Sequence, residues 1–261
     1  MREVATNPDK EPASRTIERD LRRRIEDGDL AVGDRLPSER NLAEQYGVAR
    51  NTAREAIRLL AEQGLVTIRH GSGVTVRGKT RLLRFGSERY ARTLRQETGL
   101  SPFRAEVSRQ GREASVDCRS ITRISPPAEI AERLQIDPET ETVVRRENWY
   151  YADNEPMQVG VTFAPWSIVE GTPVADSAQM GKGSLYARFE ERGHAITTIR
   201  EEVTARMPTP DEAKGLRIPD AVPVLEVTHT GIDQNGAPFE VTIFTMRADY
   251  NGLDYRMPVE D

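Results

Sequence analysis

The side chains best suited to chemistry lie in residues 47–60, GVARNTAREAIRLL. Arg50 and Arg54 stand one helical turn apart, with Asn51 and Thr52 beside them, while Ala53, Ala56, Ile57, Leu59 and Leu60 form an interleaved apolar set. Two guanidiniums at that spacing share one face of a helix. Each is a rigid fork of N–H donors that fits a phosphate, a carboxylate or the O6/N7 edge of guanine. Thr52 adds a hydroxyl for a phosphate and a methyl for thymine. A helix N-terminus itself favours phosphate. Catalytic readings find little support. His70, His194 and His229 accompany no recognisable nucleophile motif. Cys118 is the single cysteine, so an intrachain disulfide is excluded, and one Cys with three His argues against a zinc site. GSGVTV (71–76) lacks the third glycine and the following helix of a dinucleotide loop. GKGS (181–184) has Asp176 where a phosphate-binding loop needs its first glycine. No catalytic residue, metal or cofactor is expected.

The elements that position these side chains follow from periodicity and punctuation. Ile17, Leu21 and Ile25 recur every fourth residue, which predicts a helix from Ser14 to about Asp27, stopped by Gly28. Ser38 is a good N-cap for a short helix over 39–46, burying Leu42, Ala43 and Tyr46 and ending at Gly47. A second helix runs from Arg50 to about Gln63. LVTIRHGSGVTV then reads as two short strands around a glycine-rich turn. Residues 78–105 hold Arg81, Arg84, Arg89, Arg92 and Arg95 and read as a linker with a helical piece. Beyond them strand signals (114–124, 141–165, 197–207) alternate with helical ones (PPAEIAERLQI, GSLYARFEERG, TPDEAKGL), and Asn235-Gly236 marks a hairpin. Hairpins with interspersed helices indicate an α+β domain. Trp149 and Trp166 are expected in a core or interface.

Short helix, tight turn, second helix and hairpin match a winged helix-turn-helix. GDRLPSERNLAEQYGVARNTAREAIRLLAEQGLVTIRHGSGVTV closely resembles that domain in the GntR family of bacterial transcription regulators, over about residues 14–78. The family binds operators as dimers. The resemblance implies that Arg40, Arg50, Thr52 and Arg54 contact DNA from the helices and that His70 and Gly71 sit at the wing tip in the minor groove. One departure is Ala49, where the family usually has Ser or Thr; the missing N-cap forfeits about 1 kcal/mol.

Residues 105–258 resemble the UTRA effector domain of the HutC-type branch, whose fold resembles chorismate lyase; the supporting stretches include VVRRENWYYADNEPMQVGVTFAP, PVLEVTHTGIDQNGAPFE and Arg247-Ala248-Asp249-Tyr250. Such domains bind small effectors, often sugar phosphates or amino-acid-derived acids, and form the dimer. Two arginines that often hold an anionic ligand fall here on Asn148 and Tyr150, a frequent Glu on Gly160, a Ser on Thr162, and a Tyr on Met246. Arg146, Thr162, Ser184 and Glu240 retain polar ligand chemistry, although Glu240 could equally pair with Arg247. The implied effector set is therefore Arg146, Asn148, Tyr150, Thr162, Ser184, Glu240 and Met246. Burying a phosphate without paired charge is costly. The pocket either suits a less anionic, more apolar ligand or is no longer used.

Composition agrees with this division. The chain has 261 residues, 37% hydrophobic and 30% charged, enough for two folded domains. Its net charge of −5 is uneven: residues 1–90 hold 18 Lys+Arg against 14 Asp+Glu, and the remainder 19 against 28. A basic front on an acidic back suits a polyanion partner for the front alone. No apolar run approaches the roughly 20 residues of a membrane span, and the N-terminus lacks a signal-peptide core. The expectation is an α+β protein: a winged helix-turn-helix domain (14–78), a linker (79–104) and a chorismate-lyase-like UTRA domain (105–258). It would be a cytoplasmic, homodimeric regulator, most often a repressor, on a palindromic double-stranded operator, modulated by a small molecule and without membrane contact. An effector-independent repressor with a vestigial pocket and a chorismate-lyase-type enzyme are the alternatives.

Overall fold

A computed structural model describes residues 12–69, 73–76 and 81–257. The chain divides into an N-terminal unit running to Thr80 and a C-terminal unit built from Arg81–Ile218 and Pro223–Asp261.

In the N-terminal unit, α1 (Ala13–Glu26), α2 (Glu39–Tyr46) and α3 (Arg50–Glu62) enclose one core. Ile17, Leu21, Leu42, Ala53, Ala56, Ile57 and Leu60 are buried in it. The Ser38 hydroxyl accepts from the Asn41 amide and caps α2. Gly47, at φ 64°, ends α2 in the left-handed region that a side chain resists. The chain thereby reverses within three residues into α3. Ala49 occupies the α3 N-cap with extended φ and ψ and offers no side-chain bond, as its type dictates. Strands β1 (Val66–Arg69) and β2 (Gly73–Val76) pair antiparallel. The Leu36 amide bonds Val74 and the Val76 amide bonds Asp34, tying the strands to the α1–α2 connection.

The C-terminal unit is built on a six-stranded antiparallel sheet in the order β4-β5-β6-β9-β8-β7. Its strands are β4 (Ala114–Ile124), β5 (Val143–Ala152), β6 (Glu155–Pro165), β7 (Ile196–Arg206), β8 (Val224–Asp233) and β9 (Pro238–Arg247). The β5–β6 and β8–β9 hairpins lie where the ADNEP and Asn235-Gly236 turns were expected. Helix α6 (Ala128–Leu134) packs Ile130 and Leu134 on one sheet face with Val143, Phe163 and Val241. The opposite face carries α7 (Trp166–Val169), α8 (Pro173–Asp176) and α9 (Ser184–Glu191), joined through Val144, Ala164, Val169, Val174, Tyr186 and Phe189. A capping box at Thr209 and Glu212 starts α10 (Pro210–Gly215).

Residues 81–105, expected as a linker, are largely folded into this unit. Strand β3 (Leu82–Phe85) pairs parallel with β10 (Asn251–Asp254), followed by a 3-10 turn (Ser87–Tyr90), α4 (Arg92–Thr98) and α5 (Pro102–Arg109). Leu82, Tyr90 and Phe103 are buried, and so are Arg84, Arg89 and Arg95. Pairing explains the buried arginines: Arg84 meets Glu201, Arg89 meets Glu106, and Arg95 meets Glu190.

Candidate functional site

The first candidate surface is the outer side of α2 and α3. Burial of Ala53, Ala56, Ile57 and Leu60 turns Arg50, Asn51, Arg54 and Arg58 to solvent, with Thr52 half-buried. Arg40 is exposed on α2, its Nε donating to Glu44 Oε1 at 3.0 Å. Arg54 forks onto Glu39 across the turn: Nε donates to Oε1 at 3.0 Å and Nη2 to Oε2 at 2.9 Å. The Arg54 hydrogen bond holds the Glu39 carboxyl below its ordinary value, and the same bond raises Arg54. Arg58 is engaged by Glu55 and Glu62. Arg50 makes no ion pair with another described residue. Arg40, Arg50, Thr52 and Arg54 thus belong to one helical pair, whereas His70 and Gly71 lie outside the described residues.

The second candidate is a cavity of about 70 Å³ in the C-terminal unit, lined by residues from β5, β6, β9, α9 and the 87–103 stretch. Strand register aligns Arg146, Thr162, Thr242, His229 and Glu201 across five strands on one sheet face. Apart from Arg146, the polar groups of this row are joined to one another, with Glu240 as the link between Thr242 and His229. Thr162 and Thr242 hydroxyls lie 2.7 Å apart, and Thr242 donates to Glu240. His229 has no exposed surface; its Nδ1 lies 3.1 Å from Glu201 and its Nε2 3.2 Å from Glu240. Burial opposes charge on that ring, but the two carboxylates outweigh it and raise the His229 pKa. Both ring nitrogens facing carboxylates is the arrangement an imidazolium satisfies. Glu201 is held well below its ordinary range: burial pushes it up, and His229, Arg84 and Tyr255 overcome that push. Tyr90 stacks on His229 with ring centroids 4.9 Å apart, and the Tyr186 hydroxyl lies 3.2 Å from His229 Nε2.

Of the seven effector residues expected from the sequence, Tyr150, Thr162, Ser184 and Glu240 line the cavity. Arg146, Asn148 and Met246 do not. The Arg146 guanidinium turns to the carbonyls of Val174, Ser177 and Ala178. Met246 is packed with Val227 and Phe244, and six residues of strand separate it from Glu240, about 20 Å. Glu240 does not pair with Arg247, which forks onto Asp249; its titratable partner is His229, whose Nε2 lies 3.2 Å away. Gly160 and Gly231 shape the walls. A Cβ at Gly160 would meet the rings of Phe244 and Tyr150 at 3.0–3.1 Å, and one at Gly231 would meet Glu240 Oε2 at 3.0 Å. Aromatic rings therefore stand beside Gly160, the position where the family resemblance implies a frequent Glu.

The sequence reading missed Arg89, Tyr90, Gln158 and Tyr186 in the lining. Gln158 could have been found by counting two residues back from Gly160 on the Thr162 face. Arg89 and Tyr90 were hidden in a charge-rich stretch. Arg89 is paired with Glu106 at 3.2 Å, yet its Nε and the Gln158 Nε2 are buried with no partner among the described residues. The cavity therefore offers two open donors and asks for acceptor oxygens.

Comparison with known proteins identifies the domains that carry the two candidates. Residues 13–76 match the model of bacterial regulatory proteins of the gntR family, and residues 109–251 match the UTRA domain. An uncharacterized HTH-type transcriptional regulator, SCO4628 of Streptomyces coelicolor, is 27% identical over 238 residues, covering 90% of this chain and 88% of that protein. The mannosyl-D-glycerate transport/metabolism system repressor MngR of Escherichia coli strain K12 is 28% identical over 250 residues, 94% of each. A solved structure of a GntR-family regulator aligns with a TM-score of 0.60 at 28% identity, covering 96% of this chain and 99% of that one. These relatives are transcriptional regulators, which sets aside the lyase alternative. No helix among the described residues is long and apolar enough to cross a membrane. A helix-turn-helix with its arginines outward, joined in one chain to a UTRA fold, leads to one assignment: the chain belongs to the GntR family, in the HutC-type branch that carries a UTRA domain, and is a DNA-binding transcription regulator.

Proposed function

We propose that the protein is a cytoplasmic, dimeric repressor. Two N-terminal units hold a palindromic operator, and the C-terminal unit pairs the subunits and binds a small effector. Arg40, Arg50, Thr52 and Arg54 carry the contacts from the helices, and His70 and Gly71 those from the wing tip. Repression is the sign carried by the name of the relative MngR. A two-fold dimer places its half-sites about one helical turn apart.

One observation carries the effector reading. The cavity wall includes Arg89, Tyr90 and residues 101–103, which lie on the stretch of chain running on from the DNA-binding unit. A ligand bonded there changes the free energy of that stretch, and an effector acts only by binding two states unequally. The open donors of Arg89 and Gln158 favour a used pocket over a vestigial one. Arg84 and Arg89 are matched by Glu201 and Glu106, so the cavity suits an acceptor-rich ligand with little negative charge.

Fluorescence anisotropy on DNA from upstream of the protein's own gene tests this. The titration is repeated with neutral hydroxyl and carbonyl compounds beside their phosphorylated counterparts. The expected result is submicromolar, selective binding that a neutral compound weakens, with Gln158→Leu blunting that response. A response confined to phosphorylated compounds overturns the ligand class, and no response to any compound favours the effector-independent repressor.

A further inference from the structure

The DNA-reading surface carries a carboxylate where affinity alone would not place one. Glu39 opens α2 beside Arg40 and bonds Arg54 on α3. Affinity for DNA of any sequence comes from cations free to replace counterions along the phosphates. Here Arg40, Arg50 and Arg54 share their face with Glu39 and Glu44, so two of the three cations are matched before any phosphate arrives. The α2 N-terminus favours an anion in its first turn, and Arg54 and Arg50 together hold Glu39 ionised.

The geometry of the pair shows what the carboxylate does. Arginine has five N–H donors: one on Nε and two on each terminal nitrogen. Glu39 takes the Nε donor and one donor of Nη2, the side edge of the guanidinium. Both Nη1 donors and the outer Nη2 donor remain, and together they form the end-on fork that fits guanine O6 and N7. An unclamped arginine on an exposed helix samples many rotamers and settles on whichever phosphate is near. Arg54, with a side chain 64% exposed, is fixed on one edge by a partner 15 residues away in sequence.

The geometry points to Glu39 as a specificity-determining positioning residue: it clamps the side edge of Arg54 so that the end edge reads guanine, and its charge weakens attraction to phosphates of every sequence alike. This inference rests on Arg54 facing the operator.

The test compares full-length wild type, Glu39→Gln, Arg54→Ala and the double variant. Each is titrated with the site that wild type selects from a random-sequence pool and with a scrambled duplex, across several salt concentrations. Glu39→Gln is nearly isosteric at a half-exposed position, and circular dichroism checks the fold. The variant is expected to bind scrambled DNA about 3- to 10-fold more tightly, with a salt slope steeper by about 0.9. Its discrimination between the two duplexes is expected to fall about tenfold, within the range set by one bidentate base contact. In the Arg54→Ala background the same substitution should leave discrimination unchanged, which a general charge effect would not do. Unchanged discrimination in Glu39→Gln, or an equal loss with and without Arg54, overturns the inference. A wild type that selects no site overturns the DNA-binding reading itself, which separates the two failures.

Discussion

Replacing His229 by glutamine tests the buried network around the cavity. Glu201 keeps Arg84 and the Tyr255 hydroxyl without the imidazole. Glu240, fully buried, keeps only the hydroxyls of Thr242 and Tyr186 among the described residues. His229→Gln therefore strands one carboxylate in the interior, and breaking a buried pair from one side costs about 3–5 kcal/mol. The glutamine amide still reaches one carboxylate, which puts the expectation at about 3 kcal/mol, or roughly 6–12 °C in the melting temperature of a unit this size. Adding Glu240→Gln removes the stranded charge and should restore most of the loss. Differential scanning calorimetry of the full-length chain at pH 7 and pH 5 measures all three proteins. The single variant should be hurt at least as much at pH 5 as at pH 7, because the raised His229 of the wild type contributes fully below about 6.5. A single variant within 1 kcal/mol of wild type, or a double variant no better than the single, would refute the imidazolium-between-carboxylates account.

Other substitutions separate the two units. Arg54→Ala should weaken binding to the selected operator about 5- to 150-fold if Arg54 reads a base, while circular dichroism stays unchanged; equal weakening on scrambled DNA would reduce it to a phosphate contact. Ala49→Ser supplies the missing α3 cap in a backbone already extended at that position, and thermal melting should show a gain of about 1 kcal/mol in the N-terminal unit. Met246→Ala removes a buried core side chain and should cost about 2–5 kcal/mol in chemical denaturation, so a neutral result would place Met246 outside the packed core. The wild-type C-terminal unit should lose stability at both ends of a pH series. The raised His229 contributes fully below its unfolded value of about 6.5 and fades as pH rises through its folded value. The depressed Glu201 contributes above its unfolded value of about 4.3 and fades in acid. A profile flat from pH 6 to pH 9 would contradict the His229 shift, and one flat from pH 4.5 down to pH 2 would contradict the Glu201 shift.

Much of the fold was legible because local chemistry and tertiary packing agreed. Ser38 and Gly47 punctuate α2, and the Leu42/Ala43 pair faces the core that the helical period demands. Asn235-Gly236 fixes the β8–β9 register, and alternation marked β4 at its observed bounds. The 81–105 stretch failed for a physical reason. Charge density reads as solvated, and Arg84 is buried only because Glu201 arrives from 117 positions away. No local pattern encodes that pairing. The cavity was half legible: the family resemblance implied Tyr150, Thr162, Ser184 and Glu240, which line it, and also Arg146, Asn148 and Met246, which do not, because a strand position does not say how far a small cavity reaches. The resemblance pointed to Asn148 and Tyr150 as the family's arginine positions, whereas the cation of this cavity, Arg89, arises from another segment altogether.

Selection from a random duplex pool by the full-length protein, at near-physiological salt, tests the central claim most directly. The account predicts enrichment of a palindrome with two half-sites about one helical turn apart, each carrying a guanine whose replacement by 7-deazaguanine weakens wild type but not Arg54→Ala. An unenriched pool, with binding equal for every sequence, would contradict it.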